Sequence, residues 1–398
     1  MNTLQNSLKT LAAAAAVSLA LAACGGGGGG GGSSGGSTGT GTGTTTSTNG
    51  AALLAAYNPP ADIAGDVVTN YTGPAYNVGS SGIVSSCSSA ALVSTTVVDA
   101  PDVVVFAANG ASVKAQELAA DLFENKAVPT VRAALGLPAT GVAFDGTNKV
   151  QLCVDTALGT SLGETGTAVT GQTGLGAPGP VMQVMSADSP NFDARFAGAT
   201  SLDAMAPLFI HESTHAALYS MTEPFGGTEV WFQEGTATTV AGQSIGTKAS
   251  VLATVQASDL LTANNSNADL NAYGGYEATV QYLTSTAPGG LGFGLTGLKT
   301  FLATYKAAAT ALCVQPIPAG LIPPASQTAG MLPAGKYNVC ASQAPGTIDT
   351  RLETAFDQAF SATFKDSNGS PLYLHTADDP SGNSLEQTLY QRLNSFLQ

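Results

Sequence analysis

The chain contains 398 residues, and its ionisable side chains are few and mostly acidic. Thirteen Lys and Arg residues stand against 27 Asp and Glu residues, which gives a formal net charge of −14. A surface of this charge repels phosphate groups, so the composition excludes nucleic acid as the expected partner. The length is sufficient for a large hydrophobic core, arranged as one large domain or as two lobes.

The first residues have the composition of an export signal. A polar lead ending at Lys9 precedes an apolar run from Leu11 to Ala23, shorter than the ~20 residues that a membrane-spanning helix needs. The run ends in Leu21-Ala22-Ala23-Cys24-Gly25, which resembles the lipobox of bacterial lipoproteins. The resemblance implies a lipid on Cys24 and, because Gly25 rather than Asp follows, transport to the outer membrane. The alternative is an ordinary cleaved signal with an unlinked cysteine.

The segment at 24–50, which follows the signal peptide at 1–23, is almost wholly Gly, Ser and Thr. Such a segment buries too little apolar surface to offset its ordering entropy, so we expect a flexible tether. In the globular part at 51–398, no stretch is long and apolar enough to span a bilayer. We therefore expect contact with the membrane only through the lipid anchor.

Four cysteines remain when Cys24 is set aside, and an even number in an exported chain predicts two disulfide bonds. A bond between Cys313 and Cys340 would close the Pro- and Gly-rich loop between them, which leaves Cys87 to pair with Cys153. The spacings are too wide for the close Cys pairs of a thiolate zinc site. The alternative is four free thiols.

Hydrophobic patterning predicts strands in the first part of the globular body and mainly helices in the second. Ser112 is the expected N-cap of the first helix, and Gly136 is the expected end of the second. This order predicts an α+β fold with a sheet-rich lobe at 51–204 and a helical lobe at 205–398. The predicted strands cover 103–108, 150–154 and 181–185, and the predicted helices cover 112–125, 129–136, 205–221, 230–241, 273–283, 350–364 and 385–397.

The predicted helix at 205–221 contains two histidines with a glutamate between them, in the order His211-Glu212-Ser213-Thr214-His215. Residues i and i+4 of a helix lie on the same face, so both histidines can present a ring nitrogen to one metal ion. Glu212 lies about 100° around the helix from His211, where it can reach a water molecule without being a ligand. This is the HExxH motif of zinc peptidases. Two coincidental surface histidines are the alternative, but random placement gives only roughly 6 × 10⁻⁴ matches.

The third ligand distinguishes the classes of zinc peptidase. A metzincin would have a histidine at position 221, where this chain has Met221. Instead, a break at Pro224 and the glycines after it lets a second helix return beside the first. Glu234, one turn into that helix, would face the two histidines, and Glu229 is the competing carboxylate.

The eighteen residues between His215 and Glu234, with the block Trp231-Phe232-Gln233-Glu234-Gly235, resemble the gluzincins, in particular the aminopeptidase-N and related peptidase group. The resemblance covers residues 202–283. It implies a Zn²⁺ cofactor held by the two motif histidines and Glu234, with Glu212 as catalytic base. It also implies a thermolysin-like catalytic domain of two lobes, with the zinc site between them.

The same resemblance implies that Tyr273 stabilises the transition state, because it precedes the pair Tyr282-Leu283 by the spacing of the family. Tyr276 is the near alternative, and simple core packing of Tyr273 is the other. The strand at 180–185 lies where the family has its substrate-binding edge strand. The Gly-Ala-Met-Glu-Asn block of aminopeptidases is absent, so we expect an endopeptidase rather than an aminopeptidase.

Together these observations predict a zinc-dependent peptidase of the cell envelope that hydrolyses peptide or protein substrates, facing the periplasm or the cell surface. The alternative, from a different class, is a catalytically silent zinc-containing binding or adhesion lipoprotein. The intact Glu212 argues against it, since a protein that has lost catalysis needs no base beside its ligands. His375 matches no motif, and we expect an exposed loop residue there.

Overall fold

In the computed structural model of the protein, the described residues are 48–76, 87, 95–158, 168–172, 179–196, 201–223, 225, 228–243, 246–262, 271–313, 340 and 349–398. The predicted signal peptide, the predicted lipidation site Cys24 and most of the predicted tether lie outside them. The first described helix begins at Thr48, within the predicted tether.

A six-stranded mixed sheet occupies the first part of the described chain. Its strands are β1 (Val67–Val68), β2 (Val97–Asp99), β3 (Val103–Ala108), β4 (Val150–Asp155), β5 (Ala168–Gln172) and β6 (Pro180–Met185). The order across the sheet is β1-β2-β3-β4-β6-β5. The central strands β3, β4 and β6 are parallel, whereas the pairs β1–β2, β2–β3 and β5–β6 are antiparallel. The central strands are buried along their whole length, which explains their continuous apolar sequence.

Helices make up most of the described chain after residue 201. In chain order the helices are α1 (Thr48–Ala56), α2 (Ala61–Gly65), α3 (Val113–Leu122), α4 (Val128–Leu135), α5 (Phe192–Arg195), α6 (Leu202–Thr222), α7 (Val230–Val240), α8 (Lys248–Ala257), α9 (Tyr273–Thr284), α10 (Leu298–Cys313), α11 (Thr350–Thr363) and α12 (Leu385–Phe396). A π-helical turn joins α3 to α4, and 3₁₀ turns lie at Leu295–Gly297 and Thr376–Asp378. Among the described residues, no helix has the length and apolar composition to cross a bilayer.

Every predicted strand and helix is present in the structure. Ser112 caps α3 by accepting a hydrogen bond from the backbone N–H of Ala115 at 3.2 Å. Gly136 ends α4 in the left-handed conformation, with φ of 65°, which glycine adopts without strain. The sequence patterns missed β1, β2 and β5 among the strands, and α8 and α10 among the longer helices.

The edge strand is not where the sequence analysis placed it. The strand at 180–185 is β6, which pairs with β4 on one side and β5 on the other, so it is an interior strand. The edges of the described sheet are β1 and β5, and β5 is the edge next to β6. The error arose because β5 is a short segment of five residues without the apolar run that marks β6.

Helix α6 connects the sheet to the other helices. It packs on β5 and β6 and also on α7 and α10. Its side chains from Met205 to Leu218 are mostly buried on all sides, which places this helix in the interior. One hydrophobic core includes residues on both sides of the predicted boundary between 204 and 205. The sheet and the helices together form a mixed α+β architecture, as predicted.

Aromatic packing fixes the rotation of α7. Phe232 packs edge-to-face on Phe301 of α10 and Phe356 of α11, with ring centroids 5.2 and 5.5 Å apart. Residues two apart lie about 200° apart around a helix. The contacts of Phe232 therefore direct Glu234 to the opposite side of α7, toward α6.

Two disulfide bonds are present, and they confirm the predicted pairing. Cys87 is bonded to Cys153 on β4, with Cα atoms 6.0 Å apart. Cys313, the last residue of α10, is bonded to Cys340, with Cα atoms 5.6 Å apart. All four cysteines are buried, so the alternative of free thiols does not describe this fold.

Candidate metal centre

Three candidate ligand atoms meet between α6 and α7. The Nε2 atoms of His211 and His215 are 3.1 Å apart. Oε2 of Glu234 lies 3.2 Å from the first of these nitrogens and 3.4 Å from the second. All three side chains are at most 2 % exposed. The structure thus brings the three predicted ligands together in a group that can hold a metal ion.

The packing of α7 on α9 brings the two helices very close beside Glu234. A Cβ atom added to Gly235 would overlap the backbone carbonyl oxygen of Tyr276 on α9. Only glycine permits this approach without movement of one of the two helices. Gly235, which follows the candidate ligand Glu234, is therefore required for the close packing of α7 on α9.

A hydrogen bond from outside the predicted site orients His211. Its Nδ1 lies 3.0 Å from the side-chain oxygen of Gln243, just after α7. Gly242 has φ of 65°, and the N–H groups of Gly242 and Gln243 donate to Thr239 and Thr238. This Schellman motif turns the chain so that Gln243 faces α6. The sequence analysis missed Gln243, although Gly242 at the end of the predicted helix was a signal for such a cap.

Glu212 is fully buried beside His211, His215 and Glu234, which we call the triad. A residue of the sheet forms a hydrogen bond with the carboxylate of Glu212. Thr170 on β5 donates a hydrogen bond to Oε2 of Glu212 at 2.5 Å. Thr170 is itself buried, and β5 packs directly on α6. The edge strand therefore positions the predicted catalytic base, which no sequence pattern indicated.

The side chains of the triad stabilise the charged forms of one another. Burial alone disfavours the charged form of His215, but the carboxylate of Glu234 stabilises it and raises the pKa of His215. Burial also disfavours the charged form of Glu234, but the two histidines outweigh it and lower the pKa of Glu234 to about 2. Glu234 therefore stays ionised, and its carboxylate attracts a cation, either the proton on His215 or a metal ion.

The hydrogen bond to Gln243 determines which nitrogen of His211 faces the triad. With Nδ1 donating to an amide oxygen, the lone pair of Nε2 faces Glu234 and His215. Electron pairs on two nitrogens and a carboxylate repel one another at these distances unless a cation lies between them. Among the described residues, Nδ1 of His215 has no hydrogen-bonding partner.

Tyr273 and Tyr276 lie in the first turn of α9, and both are buried. Their ring centroids are 5.9 Å apart, and α9 packs on the helix that carries Glu234. Both tyrosines therefore lie on the helix that packs against the helix of Glu234, the third candidate ligand. The assignment of Tyr273 to the transition state stays a prediction.

Glu229, the competing carboxylate, belongs to a different cluster. It is 1 % exposed and accepts a hydrogen bond from the indole N–H of Trp231. Burial raises the pKa of Glu229 to about 8, although the charge of His375 opposes the shift. One candidate ligand atom from each of Glu229, Asp357 and His375 lies within 4.8 Å of the others.

The prediction that His375 is exposed is wrong. It lies in a loop, but its side chain is only 12 % exposed. Nδ1 is 3.0 Å from Oδ1 of Asp357, and Nε2 is 3.0 Å from the carbonyl oxygen of Leu261. Burial alone lowers the pKa of His375, but the hydrogen bond to Asp357 and the charge of Glu229 raise it to about 10. The sequence gave no sign of these contacts because both partners are distant along the chain.

Comparison of the sequence with protein-family models and with curated proteins finds no match. The resemblance to gluzincins therefore depends on the HExxH motif, the spacing to Glu234 and the convergence of these residues in the structure.

Proposed function

We propose that the protein is a zinc-dependent peptidase of the gluzincin type, with His211, His215 and Glu234 as zinc ligands. One observation carries the proposal: two histidine nitrogens and one carboxylate oxygen converge while Glu212 is held beside them. Three protein ligands leave one position of a tetrahedral zinc ion open for water or substrate, as in catalytic sites.

The distances within the triad fit a zinc ion. Zinc binds histidine nitrogen and carboxylate oxygen at about 2.0–2.2 Å, so two ligands of a tetrahedral ion are about 3.3 Å apart. The three separations in this triad are 3.1, 3.2 and 3.4 Å. The hydrogen bond from Nδ1 of His211 to Gln243 is the usual support of a metal-binding histidine.

The chemistry divides between the metal and the side chains of the chain. A zinc ion supplies a Lewis acid that polarises a carbonyl group and makes water more acidic. Glu212 accepts the proton of the attacking water at its carboxylate and passes it to the leaving amine. Thr170 holds that carboxylate in position through its hydroxyl group. Tyr273 donates a hydrogen bond to the oxyanion in this scheme.

The substrate class follows from the edge strand. An edge strand offers backbone N–H and C=O groups to an extended peptide, which can pair with it as an additional strand. Strand β5 is one of the two edge strands of the described sheet and is the one that carries Thr170, which contacts Glu212. We propose that peptide or protein substrates bind along β5 in a two-lobed, thermolysin-like domain and are cleaved internally.

The proposed location is the outer membrane, where a lipid on Cys24 anchors the protein through its tether. Two buried disulfide bonds support export, because such bonds persist in oxidising compartments. A Cys24→Ser chain is expected to leave the membrane fraction and to lose incorporation of a labelled fatty acid. Retention of the label in this variant would exclude Cys24 as the lipidation site.

The decisive experiment is cleavage of a diverse peptide library by the full chain in detergent, with the products mapped by mass spectrometry. We expect cleavage at internal bonds, abolished by a chelator and restored by Zn²⁺. Glu234→Ala is expected to abolish it, whereas Glu353→Gln on α11 is the matched control and is expected to cleave normally. Zinc binding at the triad without any cleavage would favour the binding or adhesion lipoprotein. Cleavage that survives Glu234→Ala would exclude the proposed ligand set.

A further inference from the structure

A second group of candidate metal ligands shares no residue with the triad and is assembled from three elements. Glu229 precedes α7, Asp357 lies on α11, and His375 lies in the loop before the last 3₁₀ turn. One candidate ligand atom from each lies within 4.8 Å of the others. The side chains of Asp357 and His375 are 15 % and 12 % exposed, and Glu229 is 1 % exposed.

The hydrogen bonds of His375 are those of a metal-binding histidine. The carbonyl oxygen of Leu261 can only accept, so the Nε2 atom 3.0 Å away carries a hydrogen. Nδ1 faces the carboxylate of Asp357 at 3.0 Å, so it is the nitrogen that would exchange its proton for a metal ion. A histidine that donates one N–H to a fixed oxygen and presents its other nitrogen is the usual arrangement at protein metal sites. His211 shows the same arrangement with the two nitrogens exchanged.

Glu229 supplies an independent indication of a ligand. Its Oε2 accepts a hydrogen bond from Trp231, but its buried Oε1 has no hydrogen-bonding partner among the described residues. Buried carboxylate oxygens are rarely left without a donor or a cation. An unpaired oxygen on a residue of this cluster is therefore a position where a cation would be stabilised.

The charge around the cluster favours a divalent cation. The carboxylates of Glu353 and Asp378 lie close enough to Asp357 and His375 to influence their charges. Asp259 and Glu386 likewise lie close enough to His375 to interact with its charge. With Glu229 and Asp357, six carboxyl groups among the described residues thus lie around His375. A singly charged imidazolium balances only one of them.

We propose that Glu229, Asp357 and His375 bind a second divalent cation of the zinc type. One imidazole nitrogen with two carboxylate oxygens suits borderline first-row ions such as Zn²⁺ better than Ca²⁺ or Mg²⁺, which select oxygen ligands alone. The cation joins the start of α7 to α11 and to the loop at His375. Because α7 also carries Glu234, this site supports one wall of the first centre without contributing a ligand to it.

The test uses the full chain in detergent, stripped of metal by a chelator and reloaded with Zn²⁺ alone. We expect two zinc ions per chain by elemental analysis. Asp357→Asn and His375→Gln are each expected to retain one, as is His211→Ala, and the double variant His211→Ala/Asp357→Asn none. Glu117→Gln on α3 is the matched control for non-specific binding to acidic side chains and is expected to retain two.

A second measurement guards against variants that fail to fold. In His211→Ala, where the first centre is disabled, added Zn²⁺ is expected to raise the melting temperature, and Asp357→Asn in that background is expected to remove the rise. One zinc per chain that disappears in His211→Ala would overturn the second site and leave the peptidase proposal intact. One zinc per chain that disappears only in Asp357→Asn would support the second site and overturn the first centre. Two zinc ions retained in both Asp357→Asn and His375→Gln would also overturn the second site.

Discussion

The two histidine–carboxylate clusters differ in what holds their side chains. In the first, His211 and His215 are one helical turn apart on α6, and Glu234 faces them from the adjacent helix, so the ligand atoms lie only 3.1–3.4 Å apart. In the second, the three residues come from separate elements, and their ligand atoms lie within 4.8 Å. A single helical turn sets a fixed separation, whereas a junction of three elements depends on the packing of each.

This difference is consistent with the different roles proposed for the two clusters. Chemistry requires ligands and a base that are positioned before substrate arrives, and α6 carries both within five residues. A cluster assembled from distant elements instead stabilises the junction that creates it. Under the two proposals, the first cluster is therefore suited to catalysis and the second to connecting α7 with α11.

The largest expected effect separates the clusters by their chemistry. Glu212→Gln keeps the size of the side chain but cannot accept a proton, so turnover is expected to fall by about 10² to 10⁴. Zinc content measured on the same sample is expected to be unchanged, because Glu212 is not a ligand. The matched change Glu353→Gln beside the second cluster is expected to leave turnover unchanged. Hydrolysis at the parental rate in Glu212→Gln would show that Glu212 is not the catalytic base. The two clusters would then no longer differ in their expected chemistry.

The next largest expected effect is on turnover, after removal of the hydroxyl group of Tyr273 on α9. Tyr273→Phe removes one hydroxyl group, and turnover is expected to fall by about 10² to 10³ while KM changes little, because the bond exists mainly in the transition state. Tyr276→Phe is the matched control one turn away and is expected to be mild. A small loss of thermal stability with normal turnover in Tyr273→Phe would show a packing role. A large loss of turnover in Tyr276→Phe alone would show that Tyr276, and not Tyr273, stabilises the transition state.

A smaller effect tests how the histidines are oriented. Gln243→Ala removes the acceptor of His211, and zinc affinity of the first centre is expected to weaken by about 10- to 100-fold. Competition with a chromophoric chelator measures this affinity, with Gln233→Ala on α7 as the control. The corresponding acceptor in the second cluster is the backbone carbonyl of Leu261, which no substitution removes. Unchanged affinity in Gln243→Ala would show that helix geometry alone orients His211.

The smallest expected effect tests the contribution of the sheet. Thr170→Val preserves shape but removes the hydrogen bond to Glu212, and turnover is expected to fall by about tenfold, or ~1.4 kcal/mol. Zinc affinity is expected to be unchanged, which distinguishes this variant from Gln243→Ala. A normal kcat in Thr170→Val would show that β5 has no part in positioning the base.

The sequence was most informative where the residues of a feature lie on one element or on two neighbours. His211, Glu212 and His215 lie on one helix, so helix periodicity predicted that the two histidines share a face. Glu234 lies on the next helix, and the resemblance to gluzincins favoured it over Glu229. The helices with strong apolar repeats and the buried strands were predicted for the same reason. Helix α10 was missed although its buried residues Leu298, Phe301, Leu302 and Tyr305 recur at intervals of three and four.

Features that depend on pairing between distant segments could not be predicted. Thr170 reaches Glu212 only because β5 pairs with β6 and packs on α6, and neither contact is encoded in the short sequence of β5. His375 was misjudged because its burial depends on Asp357 and Leu261, which lie 18 and 114 positions away. Local patterns contain no information about such contacts, which arise from tertiary packing.

The close approach at Gly235 has a mechanical consequence. Because the backbones of α7 and α9 are in contact there, Glu234 and the two tyrosines of α9 form one stiff wall. Sliding of one helix past the other would push Tyr276 against the turn that carries the ligand. We therefore expect that fitting a substrate displaces the opposite wall, where β5 lies at the sheet edge and Thr170 touches the base. The selection of substrates by shape would then depend on the sheet, and the strength of metal binding on the helices.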